Sequence, residues 1–185
     1  MTDFERLWAD ALTFSAFVDA SDVKHRGLWE GIHKIARVPA WAIAAVPPGA
    51  GRRLLVIAED WCGDASNTVP LIARLAEAAP GLELRVVLRD QHPDLMDRYL
   101  TNSSRSIPIV IALNDQGRQI GHWGPRPAVL QAWVMANRAT TPKAELYPKV
   151  RQWYARDRGE STLREVLAMA GLPATQAPEA AAAPV

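Results

Sequence analysis

Between Leu54 and Arg138 short apolar runs alternate with stretches of helical spacing, and this alternation restricts the fold more than any other feature of the chain. Leu54 to Ala58 reads as a buried strand, Asp64 to Ala79 as a helix and Leu82 to Leu88 as a second strand. Asp94 to Leu100 suggests a short helix, and Ile109 to Leu113 a third strand. The turn at Asn114 to Gly117 leads into a fourth strand, Arg118 to Trp123, before a helix from about Pro127 to Arg138. The order β-α-β-α-β-β-α calls for a mixed four-stranded sheet with helices on both faces. The expected class is α/β.

Residues 1–53 read as an N-terminal helical extension. Phe4, Leu7, Trp8, Ala11, Leu12, Phe14, Phe17 and Val18 recur at helical spacing, and Ser21-Asp22 offers a cap. Leu28, Ile32 and Ile35 mark one face of a second helix, which ends at Pro39. Trp41 to Val46 adds a turn or two before Pro47-Pro48-Gly49-Ala50-Gly51 breaks the pattern. Residues 54–138 form the core, and residues 139–173 supply two C-terminal helices packed on it. Leu146, Val150 and Trp153 line the first; Thr162 with Glu165 makes a capping box for the second, which stops at Gly171. Residues 174–185, rich in Ala and Pro, read as a disordered tail.

The chain has 21 Lys and Arg against 20 Asp and Glu, mixed along its length, which argues against nucleic acid or a membrane as its partner. The apolar stretches are too short to cross a bilayer. Met1-Thr-Asp-Phe-Glu-Arg6 lacks the basic start and apolar centre of a secretory signal, which points to the cytoplasm. Cys62 is the single cysteine, so no internal disulfide and no cysteine-based zinc or iron–sulfur site can form within one chain. His25, His33, His92 and His122 show no metal-ligand spacing. No metal or cofactor is expected, and any redox chemistry passes through Cys62.

Trp61-Cys62-Gly63-Asp64-Ala65 lies between the first core strand and its helix. A sulfur there sits at a helix N-terminus, where unpaired N–H groups and the macrodipole favour the nucleophilic thiolate. The alternative is an inert cysteine packed as a small hydrophobe.

From Leu54 to about Arg138 the sequence resembles thioredoxin. Trp61-Cys62-Gly63 stands for the active site, Pro70 for the proline of the active-site helix, and Asp90-Gln91-His92-Pro93 for the Asp-Gln-Asn-Pro run. Arg105-Ser106-Ile107-Pro108 resembles the segment carrying the cis-proline, and Gly124 fits the glycine after the last strand. A closer resemblance, over nearly the full length, is to bacterial thioredoxin-family proteins with a Glu-Asp-Trp-Cys-Gly-Asp-Ala motif. That motif is Glu59 to Ala65, and the group's other runs stand at Leu88-Arg89-Asp90, Leu100-Thr101-Asn102, Ser106-Ile107-Pro108, Trp123 to Pro127 and Trp153-Tyr154.

The resemblance implies a thioredoxin fold with Cys62 as the attacking thiol and a substrate groove at Trp61, Gly63, Ile107 and Pro108. Trp61 is either a substrate platform or packing. Two departures matter: Ala65 replaces the resolving cysteine, and Val56 replaces the buried acid that serves it. Dithiol reduction is therefore not expected. The leading expectation is a monothiol redox protein exchanging with protein thiols or disulfides or with a low-molecular-weight thiol; the alternative is a redox-inactive binding module. Glu59, Asp60 and Asp64 raise the thiol pKa, while Arg105 either lowers it or pairs with one of these three acids. The balance predicts roughly 6.5–8.

Overall fold

The computed structural model describes residues 3–173 and 181–184. Among these residues the strands β1 (Leu12–Thr13), β2 (Arg52–Ala58), β3 (Leu82–Leu88), β4 (Ile109–Leu113) and β5 (Gln119–Trp123) form one sheet in the order β1-β3-β2-β4-β5. β2 takes the middle because Leu54 to Ala58 are all buried, and each such Leu or Ile side chain stabilises by about 1.5–3 kcal/mol relative to exposure. It pairs parallel with β3, Val56 opposite Val86, and antiparallel with β4, Val56 opposite Val110. The β4–β5 hairpin turns at Gly117, φ 68°, with Asn114 Oδ1 accepting from the N–H groups of Gln116 and Arg118.

The sheet has one strand more than the sequence predicts. The apolar run from Phe4 to Val18 is not one helix but α1 (Asp3–Asp10), then β1, then α2 (Phe14–Ala20). Leu12 and Thr13 leave helical geometry to pair with Val86 and Arg85 at the edge of β3, and Thr13 Oγ1 then caps α2 by accepting from Ala16 N–H. Two residues are too few to show a period of two.

α3 (Val23–Ile35) is capped by Asp22, whose carboxylate accepts from Lys24 N–H. Its core residue is Trp29, fully buried and set edge-on to Phe17 at 4.9 Å between ring centroids. The expected face of Leu28, Ile32 and Ile35 is turned outward instead, with Leu28 53% and Ile35 70% exposed. One large indole fills the space the smaller side chains were expected to take. Its Nε1–H donates to Asp60 O at 2.8 Å and so ties the extension to the segment just before Cys62.

α4 (Ala40–Ala44) precedes β2, α5 (Gly63–Ala78) follows it with Pro70 inside, and α6 (Pro93–Met96) lies between β3 and β4. α7 (Ala128–Asn137), α8 (Lys143–Asp157) and α9 (Glu160–Met169) complete the chain. Leu130 and Val134 of α7 meet Leu146, Val150 and Trp153 of α8 in an apolar cluster of their own. The predicted Thr162–Glu165 capping box does not form. α9 starts earlier, at Glu160, where buried Asp157 accepts from Ser161 N–H at 3.1 Å. Glu165 instead accepts from Trp123 Nε1–H and Ala128 N–H, joining α9 to the start of α7. Of the expected disordered tail, residues 174–180 and 185 lie outside the described residues. Residues 181–184 are placed, with Ala182 O accepting from Trp153 Nε1–H at 2.7 Å and Pro184 buried. No helix of the described residues is long and apolar enough to cross a membrane.

Candidate functional site

The end of β2 delivers Glu59 to Cys62 to the first turn of α5, and Cys62 is the N-cap of that helix. Its Sγ accepts from Ala65 N–H at 3.5 Å. The same sulfur donates its own hydrogen to Ile107 O at 3.4 Å, so the segment before β4 lies directly against the thiol. Ile107–Pro108 is cis, as is Gly124–Pro125. Ile107 N–H meets no backbone or side-chain acceptor among the described residues. A cavity of about 660 Å³ opens over the sulfur, lined in part by Trp61, Cys62, Gly63, Ile107, Arg105 and Leu28. Pro108, expected in the groove, is buried behind it and does not line the cavity.

Trp61 is half exposed, with the Arg89 guanidinium 4.8 Å from its ring centroid. Arg105 lines the cavity but spends its guanidinium on Asp97, in two hydrogen bonds of 2.7 Å. That pairing holds the Asp97 carboxyl below its usual range and leaves the thiol without Arg105. Glu59 is turned away as well: its carboxylate accepts from Asp90 N–H, and burial raises its pKa. Asp60 accepts from Asp22 N–H at 2.7 Å. Of the charged groups predicted to tune the sulfur, Asp64 is the one that acts on it.

Asp64 belongs to a buried cluster that sequence reasoning did not assemble. Arg126 holds its carboxylate in a two-pronged ion pair, Nε to Oδ1 at 2.9 Å and Nη2 to Oδ2 at 2.5 Å. Tyr154 O–H donates to Asp64 Oδ1 at 3.0 Å, and Arg126 also reaches Gln131. These side chains come from α5, the β5–α7 loop and α8. Three of the runs that carry the resemblance, at 59–65, 123–127 and 153–154, thus meet beside Cys62. Burial and the Asp64 charge push the Tyr154 phenol well above its ordinary range.

Burial likewise pushes the Cys62 thiol up to about 11 from its ordinary 9.0; Asp64 adds to the rise, and the Ala65 N–H and Arg126 only partly oppose it. The predicted 6.5–8 is overturned, because a sulfur in a residue only 8% exposed loses more hydration than one helix terminus restores. The stability consequence has a definite sign. A folded pKa above the unfolded one means the native chain keeps a proton that the unfolded chain has released. The contribution is full below about pH 9 and is lost as pH rises toward about 11. Between about pH 7 and about pH 10.5, wild type should lose about 2 kcal/mol more unfolding free energy than Cys62→Ser in urea denaturation. Burial and Asp64 keep Tyr154 protonated in both native chains over this range, so its contribution largely cancels. Equal losses would show the sulfur to be solvated.

Among the described residues no group of three or more His, Cys, Asp or Glu side chains is placed to hold a metal ion. A mixed sheet flanked by helices, with a cysteine capping the helix after the central strand, defines a thioredoxin-fold protein. A family model described as Thioredoxin matches residues 11–143, and the chain belongs to that family. The match runs past the 54–138 core at both ends. A crystal structure of a protein of unknown function from Pseudomonas aeruginosa is similar at TM-score 0.71 and 21% identity, covering 91% of this chain and 97% of that one. An HIV epitope scaffold is similar at TM-score 0.71 and 19% identity, with the same coverage. Likeness at these identities concerns the fold alone. No curated protein matches the chain.

Proposed function

We propose that this thioredoxin-family chain is a binding module that takes an extended protein segment across Trp61 and Ile107, with Cys62 kept as a neutral thiol in the floor of the groove. The observation that carries the reading is the state of the sulfur. It gives its hydrogen to Ile107 O, and its pKa of about 11 leaves about one part in ten thousand as thiolate at neutral pH. The unclaimed Ile107 N–H supports the reading, because a docked backbone carbonyl can pair with it. The half-exposed Trp61 ring beside it offers a flat apolar surface. A protein partner and a cytoplasmic location, both read from the sequence, belong to the same proposal.

Iodoacetamide alkylation followed across pH tests this. The native rate should climb through a midpoint near pH 11, whereas the unfolded chain should show a midpoint near its ordinary value of 9.0. A native midpoint below about 8 would favour the second reading, a monothiol redox role.

That reading has one observation behind it: the sulfur caps α5, with the Ala65 N–H on it and Arg126 lowering its pKa. In that role the Cys62 thiolate would attack one sulfur of a bound disulfide and expel the other as thiolate. A small external thiol would then attack the resulting mixed disulfide and free Cys62, because Ala65 cannot.

A further inference from the structure

We propose that the occupant of the groove is an acidic protein segment with interspersed apolar residues, and that it runs on from Trp61 into a second cavity walled by the two helical extensions. The inference rests on the binding reading and names its ligand class. The cavity over Cys62 adjoins another of about 530 Å³, the two sharing Ile32 and Asn67. α3 makes one wall with Leu28, Ile32 and Ile35, which helical spacing sets in line along the groove. α8, from Tyr147 onward, makes the other together with Arg158 just past its end. Leu28, Ile35 and Tyr147 are each more than 40% exposed, so apolar surface is left uncovered on both sides.

The charge along this path is one-sided. Six arginines line the two cavities, at 37, 89, 105, 126, 151 and 158, against two acids, Asp64 and Glu160. Bases and acids nearly balance over the whole chain, so the excess is local. Arg89, Arg105 and Arg126 are paired with Asp90, Asp97 and Asp64. Arg37, Arg151 and Arg158 stand in no ion pair among the described residues. Guanidinium groups without acids, set between exposed aliphatic side chains, select carboxylates alternating with apolar groups. The free Ile107 N–H at one end favours a polypeptide as their carrier.

Fluorescence anisotropy on the full chain tests this with three labelled peptides of equal length, alternating Glu/Leu, Ser/Leu and Lys/Leu. The Glu/Leu peptide should bind about tenfold or more tightly than the Lys/Leu peptide, with an affinity that falls as salt is raised. Arg151→Glu combined with Arg158→Glu, both at exposed positions, should invert the preference. Ile35→Glu, at a side chain mostly in solvent, should weaken Glu/Leu binding by about fivefold. Unchanged binding in that variant would overturn the path along α3. Equal affinity for all three peptides would overturn this inference and leave the binding reading standing, whereas no binding by any of them would overturn both. Stronger partition onto phosphatidylserine vesicles than onto the Glu/Leu peptide would overturn it in favour of a membrane surface.

Discussion

Arg126→Ala should destabilise the chain by about 3–5 kcal/mol, because it leaves Asp64 as a buried carboxylate without its counter-ion. The two side chains are only 16% and 12% exposed, and the pair is two-pronged, so solvent cannot take over the lost contact as it does at a surface bridge. Urea denaturation of Arg126→Ala, Asp64→Leu and the double variant Asp64→Leu/Arg126→Leu would show the pattern. The double variant should lie closer to wild type than Arg126→Ala does, since replacing both charges removes the uncompensated one. A loss below about 1 kcal/mol for Arg126→Ala would mean that the pair behaves like an exposed salt bridge, and that it does not pin the β5–α7 loop and α8 to the start of α5.

Gly124→Ala should be comparably damaging, at about 3 kcal/mol or more, for a different reason. A Cβ at Gly124 would stand 2.1 Å from Pro108 O, and the residue has φ 128°, where an L side chain is strained. The opposing atom is backbone, so no rotamer change relieves the contact. Because Pro108 lies behind Ile107, the damage should also reach the thiol, seen as a faster native alkylation rate. Gly63→Ala provides the control: its Cβ would meet nothing within 4 Å, and its effect should stay within about 1 kcal/mol. Denaturation midpoints of the two variants decide the matter, and similar midpoints would sink the packing argument.

These two sites mark where sequence reasoning reaches and where it stops. The central strands were legible because Leu54 to Ala58 and Ile109 to Leu113 are unbroken apolar runs of strand length. Placing Cys62 at a helix start needed only the switch from that run to helical spacing. The rise caused by nearby Asp64 was legible, but the protonation state was not, since it depends chiefly on burial, which no local pattern reports. The Asp64 cluster was out of reach for a similar reason: Arg126 lies 62 residues away and Tyr154 90, so their meeting leaves no periodicity. For α3 the apolar stripe is real, but it does not face the core. Trp29 and the Leu28–Ile32–Ile35 line sit on different faces, and sequence alone does not say which face the core claims. β1 owes its existence to a partner, as Leu12 and Thr13 have strand geometry only beside Val86 and Arg85.

The walls of the groove come from distant parts of the chain, α3 ending at Ile35 and α8 beginning at Lys143. Synthesis therefore sets an order. All five strands, Cys62 and Ile107 precede α8 in the chain, so when they have left the ribosome the cleft still lacks one wall. α8, arriving with Tyr147 and Arg151, supplies it. The groove we propose as the binding surface is therefore complete only after every strand of the sheet has been made.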